Sequence, residues 1–119
     1  MTAHDSIASL MTLVRQFAVD RGWRKFHTPR NLATALVVEA AELLELFQWD
    51  SEALSTELLA RRRSEMEGEI ADIMIYLLHL SDVSGVDIED AVRRKMQVNN
   101  DRWPVESSMY EHWQTRARS

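Results

Sequence analysis

Only three glycines and two prolines punctuate the whole chain: Gly22, Gly68, Gly85, Pro29 and Pro104 in 119 residues. Hairpin turns draw heavily on these two residue types, so an all-β fold with many tight turns is disfavoured and long helices with few connections remain. The absence of Cys removes disulfides, thiolate metal sites and a Cys nucleophile, and fits a cytoplasmic protein. A hydrophobic share of 45% with 28% charged residues is globular rather than disordered. No run approaches the ~20 apolar residues of a membrane span, and the opening MTAHDSIASL is not that of a signal peptide. The length suits a single domain over residues 1–119, with a core of about 5–103 and a tail over 104–119. Fourteen Lys and Arg against nineteen Asp and Glu leave a net charge of −5, which argues against a nucleic acid polymer as partner.

Four helical stretches follow from the spacing of apolar residues. The first runs from about Asp5 to Arg21, with Ile7, Leu10, Val14, Phe17 and Ala18 on one side and Gly22 as its stop. A short connector, Trp23 to His27, carries two aromatic rings. Thr28 then reads as an N-cap with Pro29 at the first helical position, opening a second helix to about Gln48. Trp49 to Thr56 is a polar connector. A third helix spans about Glu57 to Ser81, and Asp87 caps a fourth through Arg102, with Asp90 as a capping-box-like partner. Short connections and no strand signal predict an all-α four-helix bundle.

Two of these helices carry acids where hydrophobes belong. At about 100° per residue, Leu32, Ala35, Leu36, Leu43, Leu46 and Phe47 fall within an arc of roughly 120°. Glu39 projects inside that arc, with Glu42 at its edge on the same face. The third helix repeats the pattern: Asp72 is embedded in a stretch that is apolar nearly all round, with Glu69 one turn before it and Glu65 and Tyr76 extending the strip. A carboxylate in an apolar stripe is costly to bury unless it is paired or binds a metal. An Arg or Lys partner is one resolution, and a metal held by Glu39, Glu42, Glu69 and Asp72 is the other, since packed helices bring such pairs to one site. Oxygen ligands alone suit Mg²⁺, with Mn²⁺ as substitute. No His follows a Glu at the spacing of di-iron bundles, which disfavours redox chemistry.

On the fourth helix the stripe begun by Ile88 and Val92 continues as Lys95, Asn99 and Arg102, donors suited to an anion. Trp23, Phe26 and Trp49 stand in connectors, where rings stack a flat ligand or staple the core. His27 is placed to donate to a ligand or cap a loop, whereas His79 sits among leucines as an interior or interface residue. Met11, Met66, Met74 and Met96 read as core filler. Ile75 and Leu78 oppose the stripe of Ile73 and Leu77, so a homodimer is expected to bury the second side.

Four blocks in order carry a family resemblance over residues 10 to 104. They are Trp23-x-x-Phe26-His27-x-Pro29-Arg30-Asn31-Leu32, Glu39-x-x-Glu42 running on to Trp49, Glu69-x-x-Asp72-x-x-x-Tyr76, and Lys95-x-x-x-Asn99-x-x-Arg102-x-Pro104. The chain resembles the MazG-like all-α nucleoside triphosphate pyrophosphohydrolases, within them the dCTP pyrophosphatase-like branch. It departs at Val14, where that branch often has His, and at Val38, where many relatives carry the first of a Glu doublet. The resemblance implies Mg²⁺ held by Glu39, Glu42, Glu69 and Asp72, and hydrolysis of a (deoxy)nucleoside triphosphate, dCTP-like, to monophosphate and pyrophosphate. It implies nucleotide contacts at Trp23, Phe26, His27, Trp49 and Tyr76, phosphate contacts at Lys95, Asn99 and Arg102, and homodimers or dimers of dimers. Glu42 and Glu65 are the candidates for a general base. A non-catalytic dimeric helical module that senses a nucleotide or binds a protein partner is the alternative reading.

Overall fold

The computed structural model describes residues 6–48 and 56–105. Helices and turns account for the regular structure of these residues, and no strand occurs among them. In chain order they are α1 (Ser6–Asp20), a three-residue 3-10 turn (Arg24–Phe26), α2 (Pro29–Glu45), α3 (Thr56–Arg61), α4 (Arg63–Ser84) and α5 (Ile88–Arg102). No helix among the described residues is long and apolar enough to cross a membrane. The chain divides after Val86 into two compact units, α1 to α4 in the first and α5 in the second.

Local chemistry sets the helix ends. Gly22 adopts φ +67°, its N–H donates to Val19 O (3.1 Å), and the Trp23 N–H donates to Ala18 O (3.0 Å). These two bonds close α1 in a Schellman motif, which needs a left-handed residue and therefore favours glycine. The Thr28 hydroxyl accepts from the Asn31 N–H (3.1 Å) with Pro29 at the first position of α2, the N-cap expected from the sequence. Gly85 ends α4 at φ +69°. In α5 the Asp87 carboxylate accepts from the Asp90 N–H (3.0 Å), while the Asp90 carboxylate turns outward to Arg94 (2.8 Å) instead of completing a capping box.

Two boundaries depart from the sequence expectation. The predicted third helix is two helices, broken at Arg62, whose φ of −101° and ψ of 10° lie outside the helical well. Neither Gly nor Pro marks this break, so periodicity runs through it unseen. α2 ends at Glu45 with Leu46 as its cap, and Leu46 to Gln48 follow as turns.

α4 is the spine of the first unit, packing most extensively on α2, then on α1, with α3 near its start. Ala18, Leu32 and Leu78 are fully buried between these helices, and His79 and Ser81 are the buried polar residues among those described. Leu78 therefore lies in the core of one chain and does not face a second copy, because α1 and α2 already cover two sides of α4. The inward arc of α2 holds: Leu32 is buried, and Ala35, Leu36, Leu43, Leu46 and Phe47 are half-buried. Met96, read as core filler, is 50% exposed.

Candidate functional site

The interior face of α2 and the facing stripe of α4 meet as acids. Glu39, Glu69 and Asp72 each offer a carboxylate oxygen within 4.8 Å of the others. Glu42, one turn along α2, is half-buried and acts electrostatically on both Glu39 and Glu69. Burial first, then the carboxylates of Glu42, Glu69 and Asp72, push the Glu39 carboxyl up to about 7. Burial likewise raises Glu69, joined by the charges of Glu42 and Asp72. Glu39 Oε2 and Glu69 Oε2 are buried with no hydrogen-bond partner. Among the described residues of the first unit, no Lys or Arg bridges any of the four acids.

Desolvated carboxylate oxygens without donors are unstable as anions, and a cation is what would satisfy them. An all-oxygen cluster with two orphaned atoms fits a hard divalent ion. Of the residues expected here from the sequence, Asp72 is more open than predicted: it is exposed, while Glu39 and Glu69 are half-buried. Glu65 stands apart, its carboxylate held by Arg62 at 3.3 Å and 58% exposed.

Beside the cluster lies a cavity of about 400 Å³ lined by Leu13, Val14, Phe17, Trp23, His27, Asp72, Ile75, Tyr76 and His79. It collects residues from α1, the 3-10 turn and α4, all in the first unit. Phe17 and Trp23 meet edge to face at 5.5 Å, with the Arg21 guanidinium 3.5 Å above the Phe17 ring. The His27 and His79 rings stand 4.3 Å apart. Burial, then the Arg24 charge, holds His27 below its usual value; burial, then His27, does the same for His79 against the opposing pull of Asp82. Asp72 belongs to both the cavity wall and the acidic cluster.

The other expected ligand-contacting residues are distributed unevenly. Trp23, His27 and Tyr76 line the cavity; Phe26 does not, being 59% exposed with the Lys25 ammonium 5.3 Å from its ring. Trp49 lies outside the described residues. Lys95 and Arg102 are exposed on α5 and Asn99 is half-buried there, in the second unit. Sequence reasoning passed over Leu13, Phe17, Ile75 and His79 as wall residues. The signal was present for His79: Asp72, Tyr76 and His79 share one stripe of α4 at spacings of four and three.

Comparison with known proteins gives the family. Residues 34–115 match the MazG-like family. The chain is 40% identical over 109 residues to dCTP pyrophosphatase 1 of Bos taurus, covering 90% of this chain and 64% of that protein. It is 41% identical over 102 residues to dCTP pyrophosphatase 1 of Homo sapiens, covering 84% and 60%. The chain thus spans somewhat under two thirds of the length of these curated relatives. A crystal structure of a pyrophosphatase from Archaeoglobus fulgidus superposes with a TM-score of 0.79 at 46% identity, over 87% of this chain and 97% of that one. With a match over most of its length and relatives at this level of identity, the chain belongs to the MazG-like family.

Proposed function

We propose that this protein is a Mg²⁺-dependent nucleoside triphosphate pyrophosphohydrolase that cleaves a (deoxy)nucleoside triphosphate, dCTP-like by its relatives, to the monophosphate and pyrophosphate. The task is nucleotide-pool house-cleaning in the cytoplasm. The observation that carries the reading is the double membership of Asp72, which joins an apolar, aromatic cavity to a cluster of unsatisfied carboxylates. A nucleotide has the same two-part chemistry, a flat apolar base at one end and a chain of anions at the other. Similarity to proteins called dCTP pyrophosphatase and pyrophosphatase supports the reaction class.

In this reading Glu39, Glu42, Glu69 and Asp72 hold the cation. When bound, it neutralises phosphate charge and lowers the pKa of water. Trp23, His27 and Tyr76 hold the nucleoside, with Phe26 and Trp49 as the further contacts implied by family. The family resemblance further implies phosphate contacts from Lys95, Asn99 and Arg102, of which the two cations would offset charge on the triphosphate while the Asn99 amide would donate a hydrogen bond. The water oxygen joins the α-phosphorus, and the bridging oxygen leaves with pyrophosphate. Glu42 is better suited than Glu65 to take the water proton, since Arg62 already engages Glu65.

The reading includes a single domain over 1–119, a four-helix bundle, and assembly as a homodimer or homotetramer. Assembly is supported by the outer stripe of α2, where Ala33, Val37, Ala41 and Leu44 recur at helical spacing without a charge, Val37 67% and Leu44 62% exposed. The deciding experiment incubates the purified chain with Mg²⁺ and each of the common nucleoside triphosphates and identifies the products. Monophosphate with pyrophosphate is expected; release of orthophosphate, or binding without turnover, would overturn the proposal.

A further inference from the structure

The 3-10 turn is flanked by two cavity residues, Trp23 and His27, and is secured by hydrogen bonds toward α1 and α2. The Trp23 N–H reaches Ala18 O in α1 (3.0 Å), and the Asn31 side-chain amide of α2 donates to Phe26 O (2.9 Å). Toward α4, which supplies the facing wall with Asp72, Tyr76 and His79, it is attached by the His27 ring, 4.3 Å from that of His79, and by one ion pair. Arg24 Nη1 lies 2.5 Å from Asp82 Oδ2. The other oxygen of Asp82 takes two bonds from Arg15 of α1, at 3.0 Å from Nε and 2.7 Å from Nη2. Asp82 is 10% exposed against 48% and 40% for its partners. The acid is the fixed point, and the guanidinium groups are brought to it.

We infer that Asp82 is a positioning residue for nucleotide binding: through Arg24 it holds the Trp23–His27 segment against α4 and so sets the width of the cavity. This rests on the pyrophosphohydrolase reading for the identity of the occupant. Asp82 lies ten residues beyond Asp72 on α4 and outside the acidic cluster, so its effect falls on binding and not on the reacting centre. Misplacement of a binding wall by an ångström is enough to lower affinity severalfold or more.

The test compares Asp82→Asn, Arg24→Gln and the double variant with the parent. KM for the preferred nucleoside triphosphate is expected to rise about tenfold in each single variant with kcat changed less than about threefold, a split that marks lost ground-state binding. The double variant is expected to add little, because both changes break one link. Asp82→Glu, which keeps the charge, is expected to recover part of the affinity. Hydrogen exchange gives a readout that needs no activity: the amides of Phe26 and His27, bonded within the turn, should exchange faster in both single variants while those in the middle of α2 and α4 do not. Unchanged exchange in the turn, or kcat falling at constant KM, would overturn the inference. A parent protein that hydrolyses no nucleoside triphosphate, yet loosens the turn on substitution, would overturn the pyrophosphohydrolase reading and leave the clamp standing.

Discussion

α4 holds two acidic sites ten residues apart that differ in how they are satisfied. At Asp82 both oxygens are engaged by arginines, and Arg15 and Arg24 hold its carboxyl below the usual range despite burial. At Asp72, Glu69 and the facing Glu39, none of the described residues of the first unit supplies a cation, two oxygens are orphaned, and Glu39 is pushed up to about 7. One site is completed by the chain itself and contributes to the fold. The other is left electrostatically open, the kind of defect that clusters at functional sites.

The largest way to break this contrast is to remove an acid from the open site. Glu39→Gln or Asp72→Asn is expected to lower nucleotide turnover by about a thousandfold or more, while circular dichroism and thermal melting report an intact fold. Unchanged turnover would remove that residue from the set of ligands. Next in size is the effect of the cation on stability. Mg²⁺ at about a hundred times its dissociation constant is expected to stabilise the parent by about 2.7 kcal/mol. The shift should disappear in Glu39→Gln and in Glu69→Gln, as read by melting with and without chelator.

The reverse substitution belongs to the closed site. Asp82→Asn removes the charge and one of the two acceptor oxygens that the guanidinium groups share, and is expected to destabilise by about 1–2 kcal/mol in urea unfolding. The two sites also slope oppositely with pH. Asp82 has a depressed pKa in the fold, so its contribution is present above the ordinary value of 3.8 and is lost as pH falls through the lower folded value. Glu39 has a raised pKa, so with chelator present the fold loses stability as pH rises from 4.5 to about 7. Urea midpoints measured across this range should fall for the parent and flatten for Glu39→Gln. The smallest expected effect is that of Arg15→Gln, a urea midpoint close to that of the parent, because Arg15 is half exposed and Arg24 still reaches the acid.

What was legible in the sequence divides along the same line. The anomaly at Glu39 is local, since an acid among Leu32, Leu36, Leu43 and Leu46 is visible from helical spacing alone. The caps at Thr28 and Asp87 and the stop at Gly22 are local too, and the structure has them where spacing places them. Asp82 escaped notice because its partners are 58 and 67 residues away, and nothing near it in the chain marks it as different from a solvated acid. The break at Arg62 was invisible for want of Gly or Pro. Leu78 packs inside the chain, while Ile75 and Leu77 stay partly exposed; periodicity reports that a helix has two apolar sides and not which neighbour covers each. The cavity is likewise a product of packing, assembled from residues 13 to 79 across three elements.

The shared position of Asp72 has a thermodynamic consequence. In the proposed reading, a carboxylate that forms part of a cavity wall and part of an acidic cluster able to hold a cation makes the two occupancies one linked equilibrium. Whatever factor the cation contributes to the affinity of an occupant, the occupant returns to the affinity of the cation. On that reading, tight binding of either alone is unnecessary, and the concentration of free Mg²⁺ becomes a term in how strongly the cavity holds what enters it.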